Sequence, residues 1–102
     1  MANPHNLYRE HRVYARKANE LVLFVCLERL SDGKFAVSQA EFLREGDDLK
    51  ERMAQIAATV VELMLDEDPV ERVEFFDTIV EAVSSHEHAF ADMDEWVANA
   101  QN

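Results

Sequence analysis

Glycine and cysteine are scarce in this chain. Of its 102 residues two are glycine, Gly33 and Gly46, and one is cysteine, Cys26. Phosphate cradles and nucleophile elbows need several glycines in a short window, because the backbone must bend sharply and approach its ligand closely. Two separated glycines build neither, which excludes Rossmann, P-loop and Gly-x-Ser-x-Gly chemistry. One cysteine excludes an internal disulfide framework and the paired-cysteine zinc modules. It points to a reducing, cytoplasmic setting. Long apolar runs are also missing. The longest, Leu21 to Leu27, has seven residues, far short of the roughly 20 that cross a bilayer, so no membrane partner is expected. No charged stretch followed by an apolar core opens the chain, so no signal peptide is expected either.

Positive charge is in short supply. Lys and Arg number 10 against 21 Asp and Glu, a net charge of −11. The deficit is uneven. Residues 1–46 carry seven basic and six acidic side chains; residues 47–102 carry three and fifteen. Hydrophobic residues make up 48% of the chain, which is enough to build a core and argues against global disorder. At this length one domain, 1–102, is expected. It divides near Gly46 into a strand-rich half (1–46) and an acidic helical half (47–102).

The first half has the composition of strands. Glu20 to Leu30 is rich in β-branched and aromatic residues, and Phe35 to Leu43 alternates. Asp32-Gly33 between them predicts a hairpin with a type I′ turn. That turn would set Leu30 opposite Phe35, Glu28 opposite Val37 and Phe24 opposite Glu41. One face would then show Leu21, Leu23, Val25 and Leu27 beside Ala36, Ser38, Ala40 and Phe42, a core face awaiting helices. The other face would carry Val22, Phe24, Cys26, Leu30, Phe35, Val37 and Leu43, interrupted by Glu28, Gln39 and Glu41. It is too apolar for a solvated face, so either a terminal segment covers it or it is a contact surface. Phe24, Phe35 and Val37 are the residues expected in such a homodimer contact. Tyr8 to Lys17 predicts a third strand, joined through Lys17–Glu20.

The second half has helical spacing. Leu49, Met53, Ile56, Val60 and Leu63 form a one-sided stripe, and Asp48 with Glu51 fits a capping box. Asp68-Pro69 predicts the next helix start, with Val73, Phe76, Val80 and Val83 as its stripe. Asp92 and Glu95 open a possible third helix with Met93, Trp96, Val97 and Ala100 inward. The short link Asp66–Asp68 predicts an antiparallel helical pair. The fold class is therefore α+β: a three-stranded antiparallel meander followed by two or three helices on one face of the sheet.

Three clusters could carry chemistry. His86-Glu87-His88 has metal-ligand residue types, but residues two apart point to nearly opposite sides of a helix. A solvated helix end, where histidine suits the negative dipole, explains it more simply. The competing reading is a small metal-binding protein or enzyme using His86 and His88. Cys26 and His11 fall opposite each other if Ala18-Asn19 is a two-residue turn, the minimum for a nucleophilic pair. Cys26 nevertheless sits among Phe24, Val25 and Leu27, where a thiol is usually inert packing. Arg9, Arg12, Tyr14, Arg16 and Lys17 interleave cations with rings, as nucleic-acid grooves do, but the net charge repels a polyanion. No cofactor and no catalytic residue is assigned.

The acidic half is the most informative feature. Glu62, Asp66, Glu67, Asp68, Glu71, Glu74, Asp77 and Glu81 lie mostly off the apolar stripes, with only Arg72 among them. Such a surface can simply keep a small protein soluble. It also steers and rewards a basic protein partner. The expected function is a non-catalytic protein–protein interaction module, with Glu67, Glu71, Glu74, Asp77 and Glu81 as the partner-binding residues.

Overall fold

The structure, a computed structural model, describes residues 7–18 and 20–87. Three strands come first: β1 (Tyr8–Lys17), β2 (Glu20–Arg29) and β3 (Lys34–Arg44). They form an antiparallel sheet in the order β1-β2-β3. Helices α1 (Leu49–Asp66) and α2 (Pro69–Arg72) follow, and helical backbone resumes over 79–87 as α3. The change from strands to helices falls at Gly46, whose φ is +96°. The expected α+β class and the meander are both present.

Lys17 pairs with Glu20, so the β1–β2 turn is two residues long. Ala18 takes φ +51° there, a left-handed conformation that the tight hairpin turn demands and that disfavours a residue with a Cβ.

The second hairpin departs from expectation. Phe35 lies opposite Glu28, and Lys34 opposite Arg29, leaving a four-residue connection, 30–33. A type I′ turn needs positive φ at both central residues. Gly33 has it, at +68°, but Asp32 does not. The Asp32 carboxylate instead receives two bonds from Arg29, at 3.0 and 2.6 Å, and one from the Lys34 backbone N–H at 3.3 Å. The longer loop gives that side chain three donors, which a two-residue turn would not bring together.

A β-bulge shifts the register again. Cys26 faces Val37 but Val25 faces Gln39, so Ser38 has no partner on β2. An extra residue exchanges the faces of the strand beyond it. Val37 and Ala40 therefore share a side with Val22, Phe24 and Cys26, while Leu43 joins Leu21, Leu23 and Val25. The expected face of Ala36, Ser38, Ala40 and Phe42 does not form.

The helices do not share one face of the sheet. Met53, Ile56, Val60 and Met64 of α1 cover Leu21, Leu23, Val25 and Leu43. Phe76, Ile79, Ala82 and Val83 cover Val22, Phe24, Cys26 and Val37 on the opposite side. Every residue from Val22 to Leu27 is buried, as suits an unalternating apolar strand sealed on both faces.

This arrangement breaks the expected second helix. α2 stops at Arg72, and Val73 is extended, with φ −133° and ψ 154°. Phe76 then exchanges both backbone hydrogen bonds with Phe35, at 2.8 and 2.7 Å. The α3 start carries its own signal. The Thr78 hydroxyl accepts from Glu81 N–H at 3.1 Å and donates to the Glu81 carboxylate at 3.1 Å. Thr78-x-x-Glu81 has the capping-box sequence inside what read as a continuous stripe, with Thr78 as N-cap and the Glu81 carboxylate on its hydroxyl, and Val80, assigned inward, is exposed. At α1, Asp48 caps Glu51 N–H at 3.2 Å as expected, but Leu49 is exposed and Met64 packs in its stead. The helix expected from Asp92 lies outside the described residues.

Candidate functional site

The five carboxylates expected to bind a partner follow one another along the chain that leaves α1, runs beside β3 and enters α3. Glu67 is the C-cap of α1, Glu71 lies in α2, and Glu74 and Asp77 belong to the extended segment beside β3. Glu81 opens α3. All five are exposed, as are Glu62 and Asp66. Asp77 meets Lys34 at 3.7 Å with 78% of its side chain exposed, a loose pair worth little. Asp68 stands apart from this set. It receives the Tyr8 hydroxyl at 2.7 Å and the Val70 N–H at 3.1 Å. The Tyr8 bond and the cap together hold its carboxyl below the usual range. Burial and this acidic neighbour push the Tyr8 hydroxyl up to about 12, so it stays a donor.

Arg72, the one cation in this stretch of chain, is turned away from it. One terminal nitrogen donates to the Ser38 carbonyl at 3.0 Å and the other to the Ser38 hydroxyl at 2.8 Å. The guanidinium thus satisfies the bulge, whose backbone would otherwise lack a partner. The cost falls on the acidic belt, which is left with Lys34 as its one cation in salt-bridge reach among the described residues. A second unfavourable feature sits at the end of α1. Asp66 and Glu67 lie at the negative pole of the helix, with no basic residue in its last turn. Acidic groups there are destabilising by a few tenths to about 1 kcal/mol. These carboxylates are therefore not explained by local stability.

The residues expected in a homodimer contact are placed elsewhere. Phe24 is 1% exposed and Val37 8%, both beneath α3 and the segment before it. Phe35 is half-buried and bridged to Phe76. The chain covers this face with its own later residues, the first of the two alternatives its composition allowed.

His11 and Cys26 do lie opposite each other, but they form no nucleophilic pair. The His11 Nε2 is 2.8 Å from Glu28 Oε1, and its ring packs edge-on to Phe35 at 5.7 Å. Cys26 is fully buried, and burial pushes its thiol up to about 11. Near pH 8, Cys26 is expected to react with a maleimide at least about a hundred-fold more slowly in the native protein than in denaturant. Following the adduct by mass spectrometry checks this. Reaction at the free-thiol rate would show the thiol to be accessible.

His86 packs its ring edge-on to Phe24 at 5.9 Å, and burial lowers its pKa. His88 lies outside the described residues. Among the described residues no group of three or more His, Cys, Asp or Glu side chains converges on a metal position. A recess of about 450 Å³ opens at the far end of the sheet, floored by Leu21, Leu43 and Leu49 and rimmed by Arg16 and Arg44. Arg44 is paired with Glu20 at 3.1 Å. No helix of the described residues is long and apolar enough to cross a membrane.

The capping of Glu81 by Thr78 and the inward turn of Arg72 were missed by sequence reasoning. The first had a signal in Thr78-x-x-Glu81. The second had none, since a bulge at Ser38 leaves no mark in an alternating strand. No family model, curated protein or solved structure matches this chain.

Proposed function

We propose that this chain is a non-catalytic interaction module of the cytoplasm that binds a basic protein through Glu67, Glu71, Glu74, Asp77 and Glu81. The observation that carries the reading is the commitment of Arg72 to Ser38. It leaves a run of exposed carboxylates along the chain from the end of α1 into α3, with Lys34 as the only cation in salt-bridge reach among the described residues. Self-repulsion of this kind costs stability. A cationic partner relieves it, and relieves the α1 terminus as well. The same field disfavours nucleic acid as a partner.

Reversing Glu71, Glu74 and Asp77 to lysine is expected to weaken partner binding by about ten-fold or more and to remove most of its salt dependence. Immobilised wild type and triple variant, presented to lysate of the native host at low and then high salt, make the comparison. A protein held by wild type at low salt, released by high salt and ignored by the variant supports the proposal. Equal retention by both overturns it.

A further inference from the structure

The fold treats its two sheet edges differently. The outer edge of β3 is closed: Phe35 pairs with Phe76 through both backbone bonds, and the Ser38 carbonyl takes Arg72. The outer edge of β1 meets no backbone from any described residue. The Leu30 N–H donates to the Leu7 carbonyl at 3.0 Å, which fixes the phase of the ladder. Antiparallel strands alternate the direction of their backbone groups. Odd-numbered residues of β1 therefore point toward β2. Tyr8, Glu10, Arg12, Tyr14 and Arg16 present unused N–H and C=O groups outward. A ten-residue open edge of this kind is a template for another strand.

We propose that the occupant is β1 of a second copy, paired antiparallel about a two-fold axis at Val13. The charge pattern selects both occupant and register. In this register Glu10 lies opposite Arg16 of the other copy and Arg12 opposite its Tyr14, each pair occurring twice by symmetry. Opposite charges and a cation on a ring are favourable cross-strand neighbours. Glu10, Arg12, Tyr14 and Arg16 are all exposed, and all lie on the side of the sheet where α1 covers only β2 and β3. The only like-charge positions placed directly opposite are 9 and 17, at the ends of the ladder.

The neighbouring symmetric registers are worse. Centring on Arg12 opposes Arg12 to itself, and centring on Tyr14 opposes Arg12 to Arg16. Centring on His11 makes Glu10 and Arg12 exchange the bond they already share at 3.0 Å and leaves Arg16 idle. The wider electrostatics agree. Each copy carries a net charge of −11, and the β1 edge lets two copies meet through their basic halves. Glu74 and Asp77, in the segment beside β3, then lie at the far edge of each copy's sheet. The result is a continuous six-stranded sheet. This inference does not depend on the identity of any basic partner, and its test does not involve the belt.

Sedimentation equilibrium of the full chain over a range of concentrations tests it. The expected result is a mass approaching twice 11.7 kDa. Glu10→Arg sets arginine against arginine twice and is expected to weaken self-association on the order of ten-fold or more. Glu10→Arg with Arg16→Glu restores opposite charges and is expected to restore the dimer. Arg12→Pro removes an outward N–H without touching the β1–β2 ladder and is expected to give a folded monomer by circular dichroism. A wild-type monomer at every concentration overturns the proposal, and so does a dimer indifferent to all three variants. Protection of the Arg12 and Tyr14 amides from hydrogen exchange in a monomer would place another segment on the edge and overturn it as well.

Discussion

Phe24→Ala is expected to cost about 3–5 kcal/mol of folding stability. Phe24 lies on the central strand with 1% of its surface exposed. It is packed in the cluster formed with Val22, Cys26, Val37 and Ala82, and the His86 ring meets it edge-on. β2 is held between two strands and covered on both faces, so the backbone cannot collapse into the space an alanine would leave. Cavity cost therefore adds to the lost burial. A domain of this size has roughly 5–15 kcal/mol in total, so the variant should unfold at much lower urea with little change in slope. Leu65→Ala, at an 82% exposed position, should stay within about 0.5 kcal/mol of wild type. The comparison bears on association too. Were Phe24 a dimer contact, its loss would dissociate the protein while sparing the monomer. Intact monomer stability after Phe24→Ala would mean that α3 does not cover this face.

The strands were legible because their signal is local. Ten residues from Tyr8 to Lys17, the run from Glu20 and the alternation after Phe35 each carry their own periodicity, and Ala18-Asn19 leaves room for little but a tight turn. The second face of the β2–β3 hairpin also read as too apolar for solvent, to be covered by a terminal segment or by a contact. Which of the two covered it was not decidable from the pattern itself. The errors came where tertiary contacts outweigh pattern. Asp32-Gly33 has the sequence of a type I′ turn, yet the Asp32 carboxylate is taken by Arg29 and the backbone of Lys34. Val73, Phe76, Val80 and Val83 recur at helical steps, yet Phe76 pairs with a strand edge, and that edge demands extended chain. The acidic site was legible as composition. Its scant compensation was legible too, with only Arg72 among the carboxylates; that Arg72 turns away from them was not, because it reaches a residue 34 positions away.

That long-range contact carries the other large effect. Arg72→Ala is expected to destabilise the fold by about 2–3 kcal/mol, the range for losing hydrogen bonds from a charged group and stranding a buried acceptor. Ser38 is the bulged residue, 7% exposed, and its carbonyl points away from β2. Without the guanidinium, that carbonyl has no donor among the described residues and little access to water. The Arg72 Nε is itself buried with no acceptor, which reduces the net gain and argues for the lower part of the range. Arg72→Lys should recover less than half of the loss, since an ammonium on a flexible stem cannot hold the carbonyl and hydroxyl as a planar fork does. Ser38→Ala should cost about 1 kcal/mol and, combined with Arg72→Ala, add far less than the two effects summed. Urea unfolding of the four variants forms the cycle, and simple additivity would show that the two residues do not act together. The consequence reaches beyond stability. Arg72 and Phe76 together close the β3 edge, so losing the first exposes an unpaired strand next to the acidic belt. The variant should aggregate at concentrations where wild type does not. By committing its cation to the bulge, the chain both seals this edge and leaves the carboxylates around it uncompensated, so one contact links the integrity of the fold to the charge of its candidate binding surface.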